Sequence, residues 1–145
     1  MGNKKILVSL VNHELTNDQK EDLNLQGIEI IQLPGKWRKF LRQCPAGIEK
    51  LGYAAYEICM YAEELDNEMS DTGEIMGFLA PGGSPAFMAL FMLQTKYPTW
   101  FSHSERKSAE CEEKGVVTKV NSFKHICWQV IPPWRFDIEK TSKGW

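Results

Sequence analysis

Residues 73–97, GEIMGFLAPGGSPAFMALFMLQTKY, decide the fold, because an apolar run, a glycine pair and a second apolar run follow one another as a strand, a tight turn and a helix would. Ile75, Met76, Phe78, Leu79 and Ala80 make a short, almost continuous apolar segment, the pattern of a strand buried on both faces of a parallel sheet. Gly82 and Gly83 permit backbone angles and a close approach that a side chain would block. Ser84 can cap a helix, and Pro85 suits the first helical position, where a missing N–H costs nothing. A helix start fed by glycines presents unpaired amides and a positive dipole end, which suits a phosphate. The same residues also fit a plain, well-capped βα turn, since no complete phosphate-loop or dinucleotide fingerprint is present.

On the N-terminal side, Lys5–Val11 (KILVSLV) is a compact apolar run and the first expected strand. Thr16 with Gln19 three residues on fits a capping box, so a helix is expected over 17–26, closed by Gly27. Ile28–Leu33 is the second strand, and the two strands with their helix make a βαβ unit. After Pro34-Gly35, residues 36–43 suit a short helix, with Trp37, Phe40 and Leu41 on one side. A longer helix is expected from Ala46, because Ile48, Leu51, Ala55, Ile58, Ala62 and Leu65 recur at alternating spacings of three and four. The acidic stretch Glu63, Glu64, Asp66, Glu68 and Asp71 reads as a solvated linker. On the C-terminal side, 99–113 and 116–131 both look extended and are joined by Lys114-Gly115, the pattern of a hairpin. The tail from Pro132 carries Trp134, Phe136 and Trp145 without periodicity, and its order is open.

The expected fold is therefore α/β: one domain over 1–145 with an open, mostly parallel sheet, helices on both faces and a C-terminal β-hairpin. A hydrophobic share of 43% and a charged share of 25% fit a globular chain. A net charge of -2 argues against a general DNA-binding surface while leaving room for a local basic pocket. Cys44, Cys59, Cys111 and Cys127 have neither CxxC pairing nor zinc-ligand spacing with His13, His103 or His125, so free thiols in a reducing compartment are expected. Only Ile6–Val11 follow Lys4-Lys5 before polar residues resume, which is too short for a secretory leader, and no run approaches a membrane span. A cytoplasmic protein with no membrane partner, no metal and no cofactor is the expectation.

In an open α/β sheet, ligands bind beyond the carboxyl ends of the strands where the strand order reverses. With the first strand central, that point lies between Asn12-His13 and Gly82-Gly83-Ser84, and a fourth strand would bring in residues 102–107. The chemistry there suits a phosphodiester: amides and a hydroxyl from Gly82, Gly83 and Ser84, a bidentate fork from Arg106 and a compact charge from Lys107. His13 can bond a ribose or phosphate, act as acid or base, or simply be a loop histidine bonded to a carbonyl. Strand alternation puts Arg106, not Lys107, on the face shared by Ser102 and Ser104. Lys36, Arg38, Lys39 and Arg42 read better as a solvated helix face than as an anion site, and Lys124 and His125 better as a surface strand than as a pocket wall or dimer edge.

Taken in order, NHELTNDQKEDL after the first strand, LPGKWRKFLRQCP after the second, GEIMGFLAPGGSPAFMALFML and SERKSAECEEKGVVTKVNSFKH resemble the small ring nucleases of type III CRISPR systems. Those proteins are Rossmann-like and related to the CRISPR-associated Rossmann fold (CARF) sensor domains. The resemblance covers about residues 4–130, and its most specific parts are LT-x-x-Q-x-E-D and the F-K-H of the return arm. It implies a homodimer that binds cyclic oligoadenylate and cuts it without a metal, through attack of a ribose 2′-hydroxyl on the adjacent phosphorus. Asn12, Gly82, Gly83, Ser102 and Ser104 would contact the ligand, and His13, Ser84, Arg106 and Lys107 would serve the reacting phosphate. The proline-bounded glycine loop and the S-E-R-K segment depart from the family pattern, so contact with ligand carries over more safely than any catalytic identity. A module that binds the cyclic nucleotide without cutting it, or a small domain for an unrelated mononucleotide, fits the same residues.

Overall fold

The computed structural model describes residues 4–11, 14–80 and 84–133, with the backbone alone at positions 107, 109, 111, 120, 121 and 123. The order of elements is β1 (Lys4–Ser9), α1 (Asn17–Leu25), β2 (Ile28–Gln32), α2 (Gly35–Arg42), α3 (Ile48–Glu68), β3 (Gly73–Leu79), α4 (Pro85–Gln94), β4 (Thr99–Glu113) and β5 (Val116–Ile131). They build a five-stranded sheet in the order β2-β1-β3-β4-β5, parallel except for the final antiparallel pair. The chain thus has the open α/β architecture of a Rossmann-like sheet with a C-terminal hairpin. Since β2 lies on one side of β1 and β3 on the other, the strand order reverses between β1 and β3.

Two apolar clusters sandwich the sheet. Ile6, Val8, Leu10, Ile75 and Phe78 face α2, α3 and α4 on one side. Leu7, Val11, Leu79 and Trp100 face Leu23 of α1 on the other. β1 and β3 feed both clusters, which is the physical content of their unbroken apolar runs. Phe78 and Phe91 meet edge to face with ring centroids 4.7 Å apart, and Phe87 stacks beside Phe91.

Local chemistry sets the ends of the helices. Thr16 Oγ1 accepts from the Gln19 amide and Gln19 Oε1 accepts from the Thr16 amide at 2.9 Å, a reciprocal capping box. Gly27 follows α1 with φ of +71°, the left-handed angle that closes a helix at least cost. Ser84 caps α4 by accepting from the Phe87 amide at 3.2 Å, with Pro85 next, as the sequence predicts. The hairpin turn falls at Lys114 and Gly115, both at positive φ (53° and 80°), the combination that matches the twist of two-residue hairpins.

The acidic stretch differs from its expectation as a solvated linker. α3 runs on through Glu63, Glu64 and Asp66 to Glu68. Asp66 accepts from the Ile75 amide at 3.3 Å and from the Tyr97 hydroxyl at 2.9 Å, and Glu63 pairs with Lys96 at 2.6 Å. These carboxylates have partners from β3 and the α4–β4 connection, which sequence periodicity does not reveal. Ile48 departs as well, being exposed in the first turn of α3 instead of joining its buried face.

The step from body to hairpin is tight. The β1–β3 register shifts between Ile6 and Leu7, and Gly77 sits at that bulge with φ of +152°. A Cβ there would press on the Pro98 carbonyl oxygen and lie 2.9 Å from Trp100 Cδ1. β4 pairs with β3 at two positions only, Phe78 with Thr99 and Leu79 with Trp100. Beyond Trp100, among the described residues, it pairs with β5 alone. The two strands therefore form an arm that projects roughly 40 Å past the carboxyl end of the sheet, at about 3.4 Å per residue.

Candidate functional site

The residues expected to bind ligand divide into three groups. Asn12, His13, Gly82 and Gly83 lie outside the described residues. Ser84 lies at the start of α4, which packs with α2 and α3, and its hydroxyl is engaged as the helix cap. Ser102, Ser104 and Arg106 follow one another on alternate positions of β4, on the face that Trp100 turns toward α1. Arg106 is exposed, and Lys107 is described by its backbone only.

At the root of the arm the structure draws Ser102 and Ser104 into a cluster with residues of α1 and β5. Ser102 Oγ is 2.6 Å from His125 Nδ1, and His125 Nε2 is 2.8 Å from Asp22 Oδ2. Ser104 Oγ lies 3.1 Å from Ser102 Oγ, and Gln19 Nε2 donates to Ser102 Oγ at 3.2 Å. The backbone amide of His125 donates to Asp18 Oδ2 at 3.0 Å. The imidazole is buried, with 3% of its side chain exposed, against the Trp128 ring at a centroid distance of 4.9 Å. Asp22 holds its other oxygen against Gln26 Nε2 at 3.0 Å.

Each member is placed by its element. Asp18, Gln19 and Asp22 occupy the first turns of α1, with Asp18 and Asp22 at i and i+4 on one face. The hairpin register sets Ser104 opposite His125, after a shift between His103 and Ser104 that leaves Ile126 as the extra residue on β5. That bulge keeps His125 on the same face as Trp128. Without it, alternation would turn one of the two outward.

Electrostatics follow the geometry. The Thr16 hydroxyl first, and the His125 amide second, hold the Asp18 carboxyl below its ordinary value. Burial pushes the Cys59 thiol up to about 12 and raises the Cys44 thiol, which disfavours the nucleophilic thiolate at both. Among the described residues, no three His, Cys, Asp or Glu side chains converge so as to hold a metal. One cleft runs between α3 and α4, lined by Tyr56, Cys59, Glu63 and Lys96, and another lies by Thr99 and Ile131. Neither is lined by a member of the serine cluster.

A model of the uncharacterized protein MJ1673 family matches residues 5–129. The chain belongs to that family. The span that the MJ1673 family model matches runs from β1 almost to the end of β5 and takes in every member of the serine cluster. No curated protein and no solved structure matches the chain. Membership of the MJ1673 family brings no activity with it, so chemistry has to be argued from the site. None of the described helices is long and apolar enough to cross a membrane.

Sequence reasoning missed His125, Asp22 and Asp18 as site residues, and took Gln19 only as a capping residue. A signal was present nonetheless. LT-x-x-Q-x-E-D holds Gln19 and Asp22, F-K-H ends in His125, and the fold joins the two segments across 103 positions of chain.

Proposed function

We propose that this protein is a ring nuclease. It binds cyclic oligoadenylate, such as the tetra-adenylate ring, and cuts it to end type III CRISPR antiviral signalling in the cytoplasm. The observation that carries this reading is the position of Ser102 and Ser104. They stand on β4 just past the level where Ala80 pairs with Trp100, one strand from the β1/β3 reversal, where open α/β sheets take their ligands. The reaction needs no metal: a ribose 2′-hydroxyl attacks the neighbouring phosphorus in line and leaves a 2′,3′-cyclic phosphate. The protein has to bend the ring into that alignment and offset charge on the phosphate oxygens. Arg106 or Lys107 supplies the charge, Gly82, Gly83 and Ser84 cradle a phosphate, and Asn12 and His13 meet the ligand, His13 at the ribose or the phosphate.

The working unit is a homodimer. β5 is the last strand of the sheet, and its outer edge has no strand partner among the described residues. An even-numbered ring has a two-fold axis that suits an isologous cleft between two copies. Incubation of the purified protein with cyclic tetra-adenylate in EDTA is expected to give linear products ending in 2′,3′-cyclic phosphate. An intact ring after prolonged single-turnover incubation overturns the enzymatic reading, and tight binding of that intact ring would make the protein a sequestering module instead.

A further inference from the structure

With a neutral His125 imidazole, the hydrogen bonds of the serine cluster have one consistent direction. A carboxylate has no hydrogen to give, so the contact between Asp22 and His125 requires the hydrogen on Nε2. In the neutral imidazole Nδ1 is then bare, and it accepts the hydroxyl hydrogen of Ser102 across 2.6 Å. A serine has one hydrogen, so the contact between the two serines must be a donation from Ser104 to Ser102. Gln19 agrees with this assignment: its Oε1 accepts from the Thr16 amide, so its NH₂ faces Ser102 and fills that oxygen's second acceptor position. Ser102 is thereby saturated. Every hydroxyl points its hydrogen inward, and the chain ends at the surface on the oxygen of Ser104, an exposed residue whose lone pairs face outward.

We propose that Ser104, Ser102, His125 and Asp22 form an inward-running proton wire whose outer end, Ser104 Oγ, accepts the proton of the ribose 2′-hydroxyl that attacks phosphorus. The identity of the hydroxyl rests on the ring-nuclease reading; the direction of the wire does not. As O2′ bonds to phosphorus, its proton passes to Ser104, the proton of Ser104 to Ser102, and that of Ser102 to His125 Nδ1. The bond from phosphorus to O5′ breaks, and O5′ leaves with a proton from water. The imidazolium then returns its proton to solvent along the same wire, so the ring opens to a 2′,3′-cyclic phosphate and a 5′-hydroxyl with no net change in protons. While charged, His125 donates from both nitrogens and is offset by Asp22 at 2.8 Å. Among the described residues the carboxylates that bond to His125 are Asp18 and Asp22, both from α1, whereas β4 meets it with a hydroxyl and β5 with the Trp128 ring. Ser104 is the catalytic residue of this scheme, and Ser102, His125 and Asp22 act through it.

The decisive variants are Ser104→Ala and Ser104→Thr, because the position is exposed, Ala removes only the hydroxyl, and Thr keeps it while favouring a strand. Ser104→Ala is expected to lower the single-turnover cleavage rate by about 100-fold or more, the usual worth of a placed acid or base. Ser104→Thr, which keeps the hydroxyl, should stay within a few-fold of wild type. In His125→Gln a limb of the pH–rate profile should vanish along with the rate. Ser104→Ala cleaving within twofold of wild type, or an unchanged pH profile in His125→Gln, overturns the wire. Nitrogen-resolved NMR of the His125 ring judges the wire without any activity: the Nε2–H tautomer is expected, and the Nδ1–H tautomer sinks the proposal. A wild-type protein that cleaves nothing but shows the expected tautomer would therefore defeat the ring-nuclease reading alone.

Discussion

The body of the sheet and the hairpin arm are built from the same kind of strand and are held in opposite ways. β1 and β3 are flanked by strands on both edges and covered by helices on both faces, so Leu7, Val8, Phe78 and Leu79 are fully buried. Among the described residues, the arm beyond Trp100 has a partner on one edge of each strand, and at its tip Val116 and Val117 are 62% and 60% exposed. An isolated two-stranded ribbon is marginal in water. What anchors this one is its root, where Trp100 and Trp128 pack on α1 and where Asp18, Gln19 and Asp22 grip His125 and Ser102. Packing thus specifies the body, whereas a few polar contacts specify where the arm begins. The candidate site lies at that boundary, where side chains are held firmly enough to be oriented and remain near enough to solvent to meet a ligand.

Four measurements would break or sharpen this contrast. Phe91→Ala empties the centre of the aromatic cluster and should cost about 3–5 kcal/mol in denaturant unfolding, and a loss below 1 kcal/mol would mean the body is not held by packing. Gly77→Ala strikes the joint between body and arm. The positive φ and the clash with Pro98 and Trp100 together predict a loss of about 2–4 kcal/mol, and an unchanged unfolding midpoint would show that the joint can yield.

The root of the arm has a signature in acid. Because the folded Asp18 carboxyl titrates below its ordinary value, its contribution is present above the unfolded carboxylate range and is lost as pH falls through the folded value. Wild type should therefore lose stability faster than Asp18→Asn between about pH 5 and pH 2, given an unfolded value near 3.9. Parallel urea-midpoint curves for the two proteins would remove Asp18 as an anchor. The smallest effect belongs to the tip, where Val117→Thr should change stability by no more than about 0.5 kcal/mol. A larger shift would show that the tip is covered, as the edge of a homodimer would be.

Where a pattern is local, the sequence carried the fold well. Strand and helix order, the capping box at Thr16, the Ser84-Pro85 helix start and the Lys114-Gly115 turn all depend on neighbours within a few positions. A central first strand is the condition on which the expected crevice rests, and the order β2-β1-β3-β4-β5 meets it, with the reversal between β1 and β3. Less of the site could be read. Ser102, Ser104 and Arg106 were assigned to one face of β4 by simple alternation, and β4 does run through them as a strand. His125 looked like a surface residue, because nothing near it in sequence announces a carboxylate on a distant helix or a bulge at Ile126 that changes the face it occupies. The acidic end of α3 was misread for the same reason: Asp66 finds its partners on β3 and at Tyr97, and a run of carboxylates looks solvated until those elements are placed.

By itself, then, the sequence determined which segments are strands, which are helices, and which loops leave the carboxyl ends of the strands, since hydrophobic period, caps and turn residues act over one or two turns of chain. Only the tertiary structure decided that α1 lays Gln19 and Asp22 against Ser102 and His125, with Ser104 within hydrogen-bond reach of Ser102. The physical reason is range. Local propensities are summed over neighbours, whereas the makeup of a hydrogen-bonded cluster depends on which donors and acceptors converge from elements about a hundred positions apart.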